Sequence, residues 1–212
     1  MTDLFTALEW RYATKSFDPN FRLTDNQIND LKKAVQLSVA SFGLQPYKVY
    51  IIESDAMKSS LKDAAFGQRQ IDEASHVFVF AHQRTYQSQE VECFIEELAK
   101  SQNRDVEDLQ AYQQSIDTWM SAMSEAELET WMSSQVHIAM NNLLLAAATL
   151  QIDSCPMGGF DSDKVDALLG LTEENLKSCL IVPVGKRSAD DPYADYPKTR
   201  KSQEALFEYV GE

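Results

Sequence analysis

Two short stretches alternate cations with hydroxyl groups. One is Arg11-Tyr12-Ala13-Thr14-Lys15-Ser16; the other is Pro197-Lys198-Thr199-Arg200-Lys201-Ser202. Arginine offers a planar fork of donors and lysine a compact charge, a combination that suits a phosphate group. A third stretch, Pro156-Met157-Gly158-Gly159-Phe160, sets two glycines side by side, which lets backbone N–H groups come close to a flat ligand. Each stretch also has a plain reading: solvated basic loops in the first two, and a turn into a helix at Asp161 in the third. The overall charge weighs on this choice. The chain carries a formal net charge of −14, so two basic clusters run against the sign of the whole. The same acidity repels nucleic-acid backbones and disfavours a role in binding them.

Other chemistries find little support. His76, His82 and His137 are scattered without ligand spacing, so no metal site is expected. There is no GxGxxG and no Walker loop. Cys93, Cys155 and Cys179 are odd in number and form no CxxC pair, which reads as reduced thiols in a reducing compartment. The segment MTDLFTALEW lacks a basic region followed by an apolar run, and no stretch is apolar enough to span a bilayer. A cytoplasmic protein without membrane contact is the expectation.

The elements that must position these stretches follow from periodicity. Residues 3–10 read as a short helix, followed by the loop RYATKSFDPNF. Thr24 and Gln27 make a capping box ahead of Ile28, Leu31 and Val35 at helical spacing. Gly43 and Pro46 keep SVASFGLQPYKV a loop. Strands are expected at Lys48–Glu53, His76–His82 and Leu180–Val184, the second apolar enough to be buried on both faces. Helices are expected over 55–65, 88–123 and 161–169. A second capping box, Ser124 with Glu127, opens a helix that runs to Leu150 and becomes apolar nearly all round, as for a core or subunit interface. The last twenty residues read as irregular and then extended. With 212 residues and no repeat or linker, one domain over 1–212 with an α+β arrangement is the reading.

Six segments in order resemble the FMN-dependent nitroreductase family, in its branch of oxygen-insensitive NAD(P)H nitroreductases and flavin reductases. They are RYATKSFD, SVASFGLQPYKV, DEASHVFVFA, CPMGGFD, LIVPVGKRSADD and PKTRKS. The resemblance spans nearly the whole chain. It implies a three-layer fold, a mixed central sheet wrapped by helices, in an intertwined homodimer with FMN at the subunit interface. It implies phosphate contacts from Arg11, Lys198 and Arg200, and a ribityl lining from Tyr12 and Ala13. Lys15 would lie near the pyrimidine edge as the catalytic cation. Gly158 and Gly159 would offer backbone N–H groups to the flavin, with Pro156 and Met157 packed on the ring. Val39, Ala40, Ser41 and Gly43 would come from the partner subunit, and Gln135 would face the same site. Gln70 matches a position where some relatives carry a second lysine, and Gly158 one where they carry glutamate. The implied activity is ping-pong transfer of two electrons from NADH or NADPH, through flavin, to nitroaromatics, quinones or similar aromatic acceptors. Relatives of the same fold also act on enones or free flavins. A reading from another class keeps the acidic surface and the apolar helix as a non-enzymatic dimeric interaction domain, and leaves the basic loops and paired glycines unexplained. Trp119, Met120, Met123, Trp131 and Met132 read equally as an acceptor-pocket roof or as helix packing.

Overall fold

The computed structural model describes residues 2–211. Helix α1 (Leu4–Trp10) starts where the Asp3 carboxylate accepts from the Phe5 and Thr6 N–H groups at 3.1 and 3.2 Å. Helix α2 (Asp25–Gln36) starts at the expected capping box, with both reciprocal bonds made. After a single 3₁₀ turn (Ser41–Gly43) come strand β1 (Tyr47–Ile52), helix α3 (Asp55–Ala64), the one-turn helix α4 (Gln70–Glu73) and strand β2 (His76–Gln83). Helices α5 (Ser88–Gln102) and α6 (Gln110–Ser121) form an arm that leads into α7 (Glu125–Thr149). Strand β3 (Asp153–Ser154), helix α8 (Ser162–Leu169), strand β4 (Leu176–Gly185) and the short helix α9 (Gln203–Leu206) complete the order.

The four strands make one sheet in the order β1-β2-β4-β3, with every neighbouring pair antiparallel. The sheet expected to be mixed is thus antiparallel, and its one parallel pairing is the isolated bridge between Ala13 and Ser154. Side chains alternate across a strand, and β2 uses both faces. Phe78 and Phe80 pack with Leu31, Val136, Leu143 and Val182 under α2 and α7. Val77 and Val79 pack with Leu61, Ile71, Val165 and Ile181 under α3 and α8. This is the three-layer arrangement, with β2 buried from His76 to His82. A third cluster holds the arm together, where Val91, Ile95, Ile116, Met120 and Met132 meet.

Four further sequence expectations change. The single helix over 88–123 is two helices, because Asn103 takes the left-handed conformation (φ 53°) that ends α5, and a 3₁₀ turn over Val106–Leu109 restarts the chain. The third strand begins at Leu176 rather than Leu180. It is extended by pairing with His82 and Gln83, and a bulge between Phe80 and Ala81 leaves Cys179 unpaired. The loop after α7 opens with β3, and the C-terminal stretch contains α9.

Leu143 is fully buried between α7 and the sheet. Leu143→Ala is expected to cost about 2–5 kcal/mol through lost burial and a residual cavity, read as a drop in the urea midpoint at unchanged slope.

Candidate functional site

The N-terminal basic loop leaves α1 at Arg11, which is the helix's C-terminal cap in extended conformation. Ala13 and Thr14 then run beside β3: Thr14 N–H donates to the Ser154 carbonyl at 3.2 Å, and its hydroxyl reaches Asp153 at 3.5 Å. The glycine-containing loop is an extension of the same sheet edge. Cys155 N–H bonds to the Pro183 carbonyl at 3.1 Å, and Met157 and Ile181 exchange bonds of 2.8 and 2.9 Å. The edge of the sheet thereby aligns the two loops. Lys15 Nζ lies 3.7 Å from Cys155 Sγ. Burial pushes the Cys155 thiol up, against the pull of Lys15 and Arg11, so it stays a neutral partner to the ammonium.

The C-terminal basic segment reaches the same place. Lys198 Nζ donates to the Glu9 carbonyl, at the end of α1. Burial and then the charge of Arg200 push the Arg11 guanidinium below its ordinary value. Burial, Arg11, Arg200 and Arg187 do the same to Lys198. Among the described residues none of Arg11, Lys198 and Arg200 has a carboxylate within ion-pair distance. Arg11 Nε is buried without a hydrogen-bond partner. The half-buried Arg11, with its orphaned donor, and the exposed Lys198 and Arg200 are mutually repelling cations, a combination whose chemistry suits an anion.

Gly158 and Gly159 are exposed, and a side chain would be free to stand on either. A Cβ on Gly158 would meet only Leu180, at 3.9 Å, and one on Gly159 would meet nothing within 4 Å. Packing inside the chain therefore gives no reason for either glycine. The Gly159 carbonyl accepts from Gln68 Nε2 at 2.7 Å. Gln70 is buried behind it and donates to Gln68 at 3.2 Å. Pro156 is half-buried, whereas Met157 turns its side chain into the core.

A second group gathers elsewhere, on the arm. Gln135 Oε1 accepts from the Ser41 N–H at 2.9 Å. Phe42 is left-handed (φ 60°), its ring stacks edge-on against Trp119 at 5.2 Å, and Trp119 meets Trp131 at 5.6 Å. Gly43 has φ +85°, and a Cβ there would press on the Phe94 ring at 3.2 Å, so both backbone and space demand glycine. Val39 is exposed, Ala40 half-buried and Ser41 exposed. Met120 and Met132 are buried packing residues, while Trp119 keeps an open face. Among the described residues no hydrogen bond joins this group to Arg11, Lys15 or the glycine loop.

The geometry also brings in residues that sequence reading passed over. Asp191 accepts from Tyr12 Oη at 3.0 Å and from the Lys15 and Ser16 N–H groups at 2.8 and 3.1 Å. Burial and then the Asp191 carboxylate push the Tyr12 phenol well above its usual range, so it stays a donor. Asp153 takes the Arg187 N–H at 2.8 Å and its Nε at 2.7 Å. The same guanidinium lies 4.3 Å from the Trp10 ring centre and 4.6 Å from that of Tyr12. Glu73 accepts from Ser16 Oγ at 3.3 Å and Phe17 N–H at 3.1 Å, which pins the far end of the loop.

The α+β three-layer chain has known counterparts. An oxygen-insensitive NAD(P)H nitroreductase of Salmonella typhimurium is 29% identical over 216 residues, covering 98% of this chain and all of that one. A Staphylococcus aureus protein that carries a provisional NAD(P)H nitroreductase name is 32% identical, over 98% of this chain and 96% of its own. A provisionally named nitroreductase of Exiguobacterium sibiricum, solved in complex with FMN, superposes with a TM-score of 0.83 at 18% identity, covering 99% and 98% of the two chains. Residues 8–186 match the profile of the nitroreductase family, and the chain belongs to that family.

The cation cluster generates a direct test. An oxyanion that binds only the folded protein stabilises it, by about 1.4 kcal/mol at ten times its Kd, or roughly 3–6 °C in Tm for a domain of this size. Inorganic phosphate is expected to raise the Tm of the ligand-free protein by that amount. An equal rise with chloride at matched ionic strength, or an undiminished rise in an Arg11→Ala/Arg200→Ala variant, would place the anion elsewhere.

Proposed function

We propose that the chain is an FMN-dependent oxidoreductase that takes two electrons from NADH or NADPH and delivers them to nitroaromatics, quinones or similar acceptors. One observation carries the reading: the unpaired cluster of Arg11, Lys198 and Arg200, with its orphaned Arg11 Nε, lies one loop away from Lys15 and the open glycine edge. The residues present fit FMN. Arg11, Lys198 and Arg200 suit its phosphate. Tyr12 and Ala13, in the loop between Arg11 and Lys15, suit the ribityl chain. Gly158 and Gly159 have N–H groups that no described residue accepts from, and nothing stands above them. The names of the relatives support the same cofactor and donor.

Bound FMN supplies the two-electron chemistry, and the protein supplies position and field. The Lys15 ammonium, steadied by Cys155, favours negative charge at the pyrimidine edge. Tyr12 and the paired glycines would hold the chain and ring in place, with Pro156 beside them. Gln70, tied to Gln68, backs the Gly159 corner as a neutral amide rather than as a second cation.

The same reading makes the protein a homodimer. Val39, Ala40, Ser41 and Gly43, in the loop before β1, and Gln135, on α7, lie beside the arm and apart from the Lys15 corner, and would reach the cofactor of the partner. Exposed apolar side chains support an extensive interface. They include Phe5, Leu37, Val39 and Ile138, and the tail residues Phe207, Tyr209 and Val210. No described helix is long and apolar enough to cross a membrane.

The purified protein is expected to be yellow, with a band at about 450 nm that NADH or NADPH bleaches and a chromophore that heat releases as FMN. A colourless protein that takes up no added FMN would overturn the proposal. Arg200→Ala is expected to raise the FMN dissociation constant on the order of tenfold or more, read by quenching of flavin fluorescence on the apoprotein. Lys15→Ala is expected to make the bound-flavin potential more negative in dye-linked titration, and an unchanged value removes Lys15 from that role.

A further inference from the structure

The proposed chemistry leaves unused a buried carboxylate, Asp191, that no described cation pairs with. Asp191 lies six residues beyond β4 and is 4% exposed. Its Oδ2 takes three donors: the N–H groups of Lys15 and Ser16 and the phenol of Tyr12. Its Oδ1 takes the Tyr193 N–H at 3.0 Å. Among the described residues no cation forms an ion pair with it. Burial raises its carboxyl, but the bonds from Tyr193, Lys15, Ser16 and Tyr12 together hold it below the usual carboxylate range. It is therefore an anion satisfied by hydrogen bonds alone, and such bonds to a charged acceptor are the strong kind.

Position gives this anion its significance. Two segments distant in sequence meet at it. One carries Arg11, Tyr12 and Lys15. The other, of which Asp191 is part, carries Lys198 and Arg200. Backbone bonds run alongside, with Ser188 N–H on the Ser16 carbonyl at 2.9 Å and Asp18 N–H on the Lys186 carbonyl at 2.8 Å. Those fix Ser16 and Asp18. Asp191 fixes Lys15 itself, at its own N–H, and Tyr12 three residues before it.

We infer that Asp191 is a positioning residue that couples the phosphate cluster to the Lys15 ammonium, so that engaging a phosphate fixes where Lys15 stands. The inference rests on the FMN reading for its functional meaning. It acts through the chain's own hydrogen bonds. When the Lys198–Arg200 segment closes on an anion, Asp191 moves or stiffens with it, and the Lys15 and Ser16 amides follow. Tyr12, held at the same oxygen, is fixed in the same event. An asparagine at this position keeps the shape but not the function. Its one carbonyl oxygen can face either the triple donor set or the Tyr193 N–H, and its NH₂ then faces donors at the other side.

The test is Asp191→Asn in the full chain, with folding verified by far- and near-ultraviolet circular dichroism. The first readout needs no flavin. Inorganic phosphate added to the apoprotein is expected to slow amide exchange at Lys15 and Ser16 several-fold in the wild type, and to leave it unchanged in Asp191→Asn. The second uses FMN. Asp191→Asn is expected to shift the flavin potential in the direction of Lys15→Ala, and the double variant to shift it no further than Lys15→Ala alone. Tyr12→Phe, which removes one donor and leaves the carboxylate, is expected to give a smaller change of the same sign. Phosphate-dependent protection that survives in Asp191→Asn overturns the inference, as does a weakened FMN affinity with an unmoved potential. Those results leave the proposed function standing. That function fails only if the wild type takes up no FMN, and the exchange readout remains decisive in that case.

Discussion

The structure depends on burying β2 on both faces. A strand with Phe78 and Phe80 on one side and Val77 and Val79 on the other has no face for water. Two helical layers are then obligatory, α7 with α2 above and α3 with α8 below. This requirement accounts for the length of α7. Twenty-five residues make about 37 Å of helix, enough for its C-terminal half to cover the sheet while its N-terminal end belongs to the arm. It also accounts for where chemistry can occur. The centre of the sheet is packed solid, so polar groups gather at its β3 edge, where the N-terminal basic loop, the segment after β4 and the glycine loop meet.

At that edge the protein gathers like charges. Arg11 is half-buried, Lys198 and Arg200 are exposed, and partial burial with mutual repulsion lowers the proton affinity of Arg11 and Lys198. Carboxylates are plentiful in a chain of net charge −14, yet three that lie close to the basic loops are engaged otherwise. Asp153 holds Arg187, Asp191 holds backbone N–H groups and Tyr12, and Glu73 holds Arg69 and the Ser16–Phe17 turn. Among the described residues no carboxylate pairs with Arg11, Lys198 or Arg200, while Lys198 rests on the Glu9 carbonyl and Arg200 on that of Thr199. On the proposed reading, a phosphate would bind by drawing these cations onto itself.

How much of this could be read from sequence depended on the range of the interactions. The capping boxes at Thr24 and Ser124 are local and were legible to the residue. The burial of His76–His82 was legible because a near-continuous apolar run leaves a strand no side to turn to water. The break at Asn103 was hidden, since an asparagine inside a polar helix gives no signal until it adopts the left-handed conformation. The first residues of β4, Leu176-Lys177-Ser178-Cys179, look like a loop and are a strand only because β2 is there to pair with them. At the site, the basic clusters and glycine pair stood out by residue type, and the family resemblance ordered them. Asp191 did not stand out. An acid before proline reads as a turn, and its partners are more than 170 residues away in sequence. Arg187 was likewise silent, as its meaning lies in the rings of Trp10 and Tyr12.

Those rings have a further consequence. The chain has three tryptophans, and the fold sorts them cleanly. Trp10 lies against the Arg187 guanidinium beside the N-terminal basic loop, while Trp119 stacks on both Trp131 and Phe42 at the arm. Indole emission depends on the charge and polarity nearby, so the molecule carries two native optical reporters. One views the corner where Arg187 meets the N-terminal basic loop and the other views the arm loop. Single-tryptophan variants would separate them, and would show whether an event at one place is sensed at the other without any label being attached.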